Sequence, residues 1–501
     1  MSEIQPRKTV TESEVRPIVA YSSDSDAPRK GGASSGGERS KESRWQIFGS
    51  FLLMMAAIQL VMGPKIRLSQ WQVEADSNAA VAEGAAWKKG RLDLPPVVNG
   101  RLNWDYPEIV DNPSHVKHRL HDSAFLEENG KYYNVFPPMM SILTFMLSPV
   151  HERIMPDGRI DIWLQTPFVL LVFWPLPIAG FIVFRRRTGD SLWAAVLTLA
   201  WMGGSAVLPN LHECQTGYLG QINHVISQVG LLILAADVLG KQRIWPGLIG
   251  ILISTYTRQI TFLYGLVLLW LAWRGGGFRR FVFCGVGLAV VAAPLLTLNY
   301  LKFGNPLDFG YRHIYKGREK GYMGARCLTY GMFSHKFILG VEDAYANNHG
   351  NAYYMHIAPP EIDLKNSSLI EVKISDNNQN GTSLWITTPL AFWVLIAAGR
   401  WWRDRNCRIL MLGTLPVMVG LLCYHSPGFM EHGYNRFALD FLPLWLVVVA
   451  PFTRGGWRTW LSLGFAAWSL LYFQTIVPDQ PVIRDRISQA VVLSQVSHGK
   501  V

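Results

Sequence analysis

The sequence predicts an all-α polytopic membrane protein of about 11 transmembrane helices (range about 9–13) with two large extracytoplasmic loops. Three observations lead there. Of 501 residues, 49% are hydrophobic and only 17% charged, against roughly 25% charged in ordinary soluble domains. The apolar residues, with 19 Trp and 24 Phe among them, are gathered into long runs. The basic residues, which give a net charge of +11, alternate along the chain in a way that only orientation across a bilayer explains.

Residues 1–45 contain few large apolar side chains, and their acids and bases nearly cancel. This composition cannot bury a core, so a disordered cytosolic tail is expected. The first apolar run starts too far into the chain, and lacks the small-residue cleavage site, for a secretory signal. A membrane domain is expected over 46–475, with spans near 46–63, 162–184, 191–208, 222–239, 244–257, 259–273, 281–298, 385–399, 409–425, 436–453 and 459–475. Residues 476–501 form an expected extracytoplasmic tail.

Basic residues resist translocation. Alternate short loops carry Arg185–Arg186–Arg187, Lys241 and Arg243, Arg274, Arg279 and Arg280, Arg400, Arg403, Arg405 and Arg408, and Arg454 and Arg458. The opposite short connections (209–221, around 258, and 426–435 with its boundary residue) hold only Arg258 and Arg436. This asymmetry places the N-terminus inside, with outer loop 1 at 64–161 and outer loop 2 at 299–384. It also accounts for the excess charge, so a nucleic-acid partner loses its support. The apolar piece Met139–Leu147, after Pro137–Pro138, is too short to span and is expected as a helix at the outer interface. Five cysteines with no CxxC pair exclude a disulfide scaffold and a zinc ribbon, and no metal-ligand spacing stands out.

Several residues have chemistry suited to that outer face. In WQVEADSNAAVAEGAAWKKG, Asp76 or Ser77 can cap a helix through Ala79–Trp87, with Glu83 in its body. Asp76 is equally a carboxylate just outside the membrane, able to act as a general base on a lipid-borne substrate, and Glu74 can share that role. Lys131, Tyr132 and Tyr133 follow a Gly130 turn. The tyrosines suit an aromatic belt, and the lysine suits a lipid phosphate as a point charge. His224 opens a span in GQINHVISQVG. Arg258, between two spans in ISTYTRQITFLYG, either snorkels at the outer edge or binds phosphate. Arg436, in MEHGYNRFALDFLPLWL, either pairs with Glu431 or binds phosphate. LNYLKFGNPLDFGY, at 298–311, reads as a turn leaving the membrane.

In order and sidedness, these stretches resemble the integral-membrane glycosyltransferases of the GT-C fold, in the bacterial branch that includes protein O-mannosyltransferases and aminoarabinose transferases. The resemblance covers about residues 46–455. It rests on Asp76 followed by Gly90-Arg91-Leu92-Asp93-Leu94, on Gly130-Lys131-Tyr132-Tyr133 leading to Pro137-Pro138, and on His224 and Arg258. It continues through Asn299, Phe303-Gly304-Asn305-Pro306 and Gly310-Tyr311, and ends with Arg436-Phe437 to Leu442-Pro443. Many relatives carry a paired Asp-Glu closer to the first span than Glu74-x-Asp76 lies here.

The resemblance implies an inverting transfer of a sugar from a polyprenyl-phosphate donor to a glycan, lipid or protein acceptor on the outer face of a bacterial inner membrane. Asp76 with Glu74 would be catalytic, and Arg258, Lys131, Tyr132, Tyr133, Arg436 and His224 would hold the donor. Some relatives use a divalent cation. A transporter or flippase of lipid-linked sugars and a non-catalytic envelope-assembly subunit are the competing expectations.

Overall fold

A computed structural model describes residues 42–63, 79–94, 97–98, 101–102, 123–126, 128–154, 173–216, 222–310, 313, 354–357, 372–375, 384–422 and 436–474. They lie in one compact unit, Glu42–Val501, and are predominantly helical. Where the expected apolar runs are described they are mostly helical, and two of the helical stretches among the described residues are long and apolar enough to cross a membrane. The tail 1–41, the expected base with its neighbours at 64–78, most of outer loop 2 and the tail after 474 lie outside the described residues.

Helix α1 (Arg44–Met62) starts in a capping box in which Ser43 and Gln46 satisfy each other's backbone N–H groups. It is 19 residues long with mean hydropathy 1.7, yet only 17% of its apolar window is buried. Trp45, Phe48, Leu52, Leu53 and Leu60 stand exposed. Helices α2 (Ala79–Lys88) and α3 (Met139–Ile154) pack on each other. Between them run two small antiparallel hairpins, β1 (Val97–Val98) with β2 (Arg101–Leu102) and β3 (Ser123–Leu126) with β4 (Lys131–Asn134). A third hairpin, β5 (Tyr354–Ile357) with β6 (Val372–Ser375), lies in outer loop 2. These strands are the departure from an all-α fold, and all fall outside the apolar runs. Gly90 ends α2 with a left-handed φ of 69°, and Leu94 then donates its N–H to the Tyr132 carbonyl at 2.8 Å. Two of the sequence stretches singled out above are thereby tied together.

The central bundle follows with α4 (Pro175–Thr188), α5 (Ser191–Gly203), α6 (Val207–Thr216), α7 (Ile222–Val238) and α8 (Trp245–Thr257). Asp237 organises the turn between α7 and α8 by accepting from the N–H groups of Arg243 (2.8 Å) and Ile244 (3.0 Å). The two helices then cross with Gly230 against Gly250; a Cβ on either glycine would strike the other's carbonyl oxygen. Small residues at a crossing let backbones approach closely. His224 lies six residues before this crossing and Arg258 eight after it. Because the helices are antiparallel, both reach the same end, roughly 9 and 12 Å beyond the contact.

A 3-10 turn (Gln259–Tyr264) leads into α9 (Gly265–Phe303). Although continuous by hydrogen bonding, α9 is broken at Gly277 (φ 63°, ψ −159°). A Cβ on Gly265 would lie 2.9 Å from Leu288, whereas in a straight helix residues so far apart in sequence would be separated by roughly 34 Å. Element α9 is therefore a hairpin of two antiparallel arms, matching the expected runs 259–273 and 281–298. Only 22% of the apolar window of Gln259–Phe303 is buried. Together with α1 it is long and apolar enough to cross a membrane.

Residues 384–401 form short helical pieces, α10 (Leu384–Thr387), α11 (Trp393–Ile396) and α12 (Ala398–Trp401). Helix α13 (Arg405–Leu422), a 3-10 turn (Arg436–Asp440), α14 (Leu442–Val449) and α15 (residues 457–474) complete the bundle. Gly413 meets Val267 and Gly420 meets Ile260, so α13 runs antiparallel to the first arm of α9.

Among the contacts between chain-distant residues, two groups involve charged side chains of the expected loops. Glu42 accepts from Arg185 Nε at 3.4 Å and from the Ser191 N–H at 2.7 Å, Arg454 pairs with Asp190, and Arg280 donates to the Gln242 carbonyl. These are the residues expected at the inner face. Residues expected at the outer face meet in the two clusters described next.

Candidate functional site

The first cluster joins α2, β4, α3 and the end of α9. Glu83 is completely buried and forms an ion pair with Lys302, itself 4% exposed. Glu83 also accepts from Asn134 Nδ2 at 2.7 Å and from the Ser141 hydroxyl, while Lys302 donates to the Asn134 carbonyl at 3.1 Å. A buried charge is tolerable only when paired and hydrogen-bonded, and this pair is. Beside it Tyr133, Val135, Ala124, Leu126 and Phe303 form a small core, with the Tyr133 and Phe303 rings edge-on at 6.0 Å.

The exit after Phe303 is shaped locally. Gly304 adopts a left-handed φ of 70°, Asn305 Oδ1 accepts from the Leu307 N–H at 2.9 Å, and Asp308 meets His313 Nε2 at 3.0 Å. A side chain on Gly310 would collide with the Phe303 ring. The glycines and asparagine of the Phe303–Gly310 stretch thus serve backbone geometry.

The second cluster centres on Phe437. His224 stacks on its ring at 5.6 Å, with Arg258 at 4.8 Å and Arg436 at 5.3 Å from the ring centroid. The guanidinium of Arg258 also grips Asp440, with Nε at 3.1 Å from both carboxylate oxygens and Nη2 at 2.7 Å from Oδ2. The Asp440 carbonyl accepts from the Tyr264 hydroxyl at 2.9 Å. The Arg436–Asp440 turn packs on α7 and α6, so three separate parts of the sequence converge here.

Several buried polar atoms without a hydrogen-bond partner gather in this cluster, although Glu83 Oε1, which meets only the Lys302 ammonium, and Trp87 Nε1, Asn210 Oδ1, Thr255 Oγ1 and Trp393 Nε1 are in the same state among the described residues. Nε and Nη1 of Arg436, Nδ1 of His224, and both amide atoms of Asn223 are buried with no hydrogen-bond partner among the described residues. His224 is 5% and Asn223 2% exposed. Leaving such groups unpaired costs about 1–3 kcal/mol each, and more for a charge. The donors and the guanidinium charge are suited to an anionic oxygen ligand.

Of the predicted site residues, His224, Arg258 and Arg436 are brought together. Arg258, one of the two bases expected on the outer short connections, neither snorkels nor stands alone: it is paired with Asp440. Lys131, Tyr132 and Tyr133 lie in the other cluster's neighbourhood. Lys131 Nζ is 4.0 Å from Asp93, and the Tyr132 ring is 4.9 Å from Phe125. Tyr133 is buried and accepts from Asn129 Nδ2 at 3.0 Å, so it is core and not a belt anchor. Asp76 and Glu74 lie outside the described residues, as does Glu431.

Glu83, Lys302 and Asp440 were missed as paired groups. Their signal was present, since each is an ionisable residue inside an otherwise apolar stretch. Among the described residues no group of three or more His, Cys, Asp or Glu side chains is arranged to hold a metal.

Comparison of the chain with family models, curated proteins and solved structures finds no match.

Proposed function

We propose that this protein is a polytopic inner-membrane glycosyltransferase of GT-C type, with about 11 spans. In this reading it moves a sugar from a polyprenyl phosphate to an acceptor on the outer face, with inversion. The observation that carries the reading is the meeting of His224, Arg258 and Arg436 around Phe437, with buried donors still lacking partners. Exposed apolar side chains along α1 and α9, and the grouping of inner-loop and outer-loop residues into separate sets of contacts, support the bilayer and the sidedness.

In the reaction, Arg436 and His224 hold the donor phosphate, and Asn223 supplies a further hydrogen bond. Arg258, oriented by Asp440, adds charge at the leaving oxygen. Concentrated positive charge stabilises the phosphate as the sugar–oxygen bond breaks. Asp76, assisted by Glu74, accepts the proton of the acceptor hydroxyl as it attacks the anomeric carbon.

The decisive experiment compares wild type with Asp76→Asn in reconstituted vesicles supplied with a lipid extract from cells lacking the protein. The expected result is loss of roughly 100-fold or more in sugar transfer, with insertion unchanged. Full transfer by the variant removes Asp76 as the base. Movement of lipid-linked sugar without formation of a new glycosidic bond favours a flippase.

A further inference from the structure

A second cluster of cations lies at the opposite end of the bundle and has no part in the proposed transfer. The first arm of α9 and helix α13 run antiparallel and touch where Gly413 meets Val267. A groove of about 630 Å³ runs along that contact, lined by Val267 and Gly413 themselves and by Leu266, Trp270, Ile409, Leu412 and Pro416. That volume is in the range of small-molecule sites, about 300–1,000 Å³. Arg274, Arg405 and Arg408 also line it.

The antiparallel register puts the three guanidinium groups at one end. Arg274 closes the arm of α9, while Arg405 and Arg408 open α13. From Leu266 to Arg274 is roughly 12 Å along one helix, and from Arg405 to Pro416 roughly 16 Å along the other. The groove therefore has about the depth of one leaflet, half of a hydrocarbon core roughly 30 Å thick. Its cations sit on the basic loops assigned to the inner face. Arg274 lies over the Trp270 ring at 5.1 Å, and Arg408 donates to the Trp402 carbonyl at 3.4 Å. Among the described residues none of the three has a carboxylate within ion-pair distance.

We infer that this groove binds an anionic phospholipid of the inner leaflet. An acyl chain lies along Leu266, Trp270, Leu412 and Pro416, and the headgroup phosphate sits among Arg274, Arg405 and Arg408. An apolar slot between helices, closed at one end by three cations, is complementary to a lipid tail joined to a phosphate. The inference rests on the bilayer reading, though not on the transfer chemistry.

The test uses the purified full-length protein in detergent micelles and measures lipid retention and the shift in unfolding temperature with added phosphatidylglycerol, phosphatidylcholine or inorganic phosphate. Wild type is expected to retain phosphatidylglycerol and gain stability from it, with little response to the other two. The variant R274Q/R405Q/R408Q should bind phosphatidylglycerol roughly tenfold to a hundredfold more weakly. Leu412→Trp, which fills the groove and leaves the arginines in place, should weaken it as well.

Equal retention of phosphatidylglycerol and phosphatidylcholine, or an unchanged triple variant, overturns the inference. An equal response to inorganic phosphate reduces the cluster to a plain anion site and overturns it too. Unimpaired binding by Leu412→Trp removes the acyl chain from the groove. Recovery of the protein in the soluble fraction after an alkaline wash overturns the shared bilayer reading. Loss of lipid selectivity with sugar transfer intact strikes only the groove.

Discussion

The two clusters contain the same kinds of side chain in different states of satisfaction. Glu83 and Lys302 are more deeply buried than Arg258 or Arg436, yet they are matched to each other and to Asn134 and Ser141. Around Phe437 only half the chemistry is internally matched. Arg258 has Asp440, while Arg436, His224 and Asn223 keep buried atoms without partners among the described residues. Burial of charge is therefore not what marks a site. The Glu83–Lys302 network fixes α2, β4 and α3 to the end of α9, and on the proposed reading the unpaired atoms around Phe437 are where a ligand is held.

The largest effect that could break this contrast is expected from Lys302. Lys302→Met leaves the Glu83 carboxylate buried without its cation, which should cost about 3–5 kcal/mol of stability, measured by thermal or denaturant unfolding in detergent. The double variant Glu83→Met with Lys302→Met should regain most of the loss, because a buried ion pair can be exchanged for apolar packing at little net cost. A mild effect of the single change, or a double variant as unstable as the single, would deny that the cluster is a closed structural pair.

Arg436 should behave in the opposite way. Arg436→Gln removes a buried charge whose Nε and Nη1 have no hydrogen-bond partner among the described residues, so it should leave stability unchanged or raise it. Donor affinity should fall by about tenfold, in keeping with the loss of about 1.4 kcal/mol from a charge-assisted hydrogen bond. Titration with a polyprenyl-phosphate analogue reads the affinity. A variant that unfolds easily yet binds normally would reverse the roles assigned to the two clusters. Arg258 is a poorer probe, since its truncation strands Asp440 and mixes stability with binding.

Much of this arrangement was legible from the residues, within a definable limit. Hydropathy and Lys/Arg placement report the depth of a residue along the membrane normal, so the sequence alone assigns His224, Arg258 and Arg436 to one level. They say nothing about which helices are neighbours around the bundle. Asp440 lies in the apolar stretch RFALDFLPLWL and meets a guanidinium 182 residues away in sequence. Glu83 had been read as part of a helix body, and Lys302 as an ordinary residue of a membrane exit. Each pair is created by tertiary packing, which a periodicity within one segment does not encode. Lys131 and Tyr133 illustrate the converse, since residues expected at the same level as His224 meet Asp93 and Asn129 instead.

The smallest expected effect concerns the rim of the satisfied cluster. Burial alone would raise the pKa of Asp93, but the hydrogen bonds and charge of Arg91, with Lys131 at 4.0 Å, hold it below the ordinary carboxylate value. A depressed folded pKa means that the unfolded chain binds the proton more readily, so the stabilisation is present above the unfolded value near 4 and is lost as pH falls through the folded one. Arg91 is half exposed, and such pairs contribute about 0–1 kcal/mol. Acidification from about pH 5 to pH 3 should therefore weaken protection of the Leu94–Tyr132 hydrogen bond by less than tenfold, read by amide exchange on the full-length protein in detergent. Asp93→Asn should remove that increment of the pH dependence. If the variant retains the whole acid response, the titrating group lies elsewhere, and the Arg91–Asp93 rim does not help hold the satisfied cluster in place.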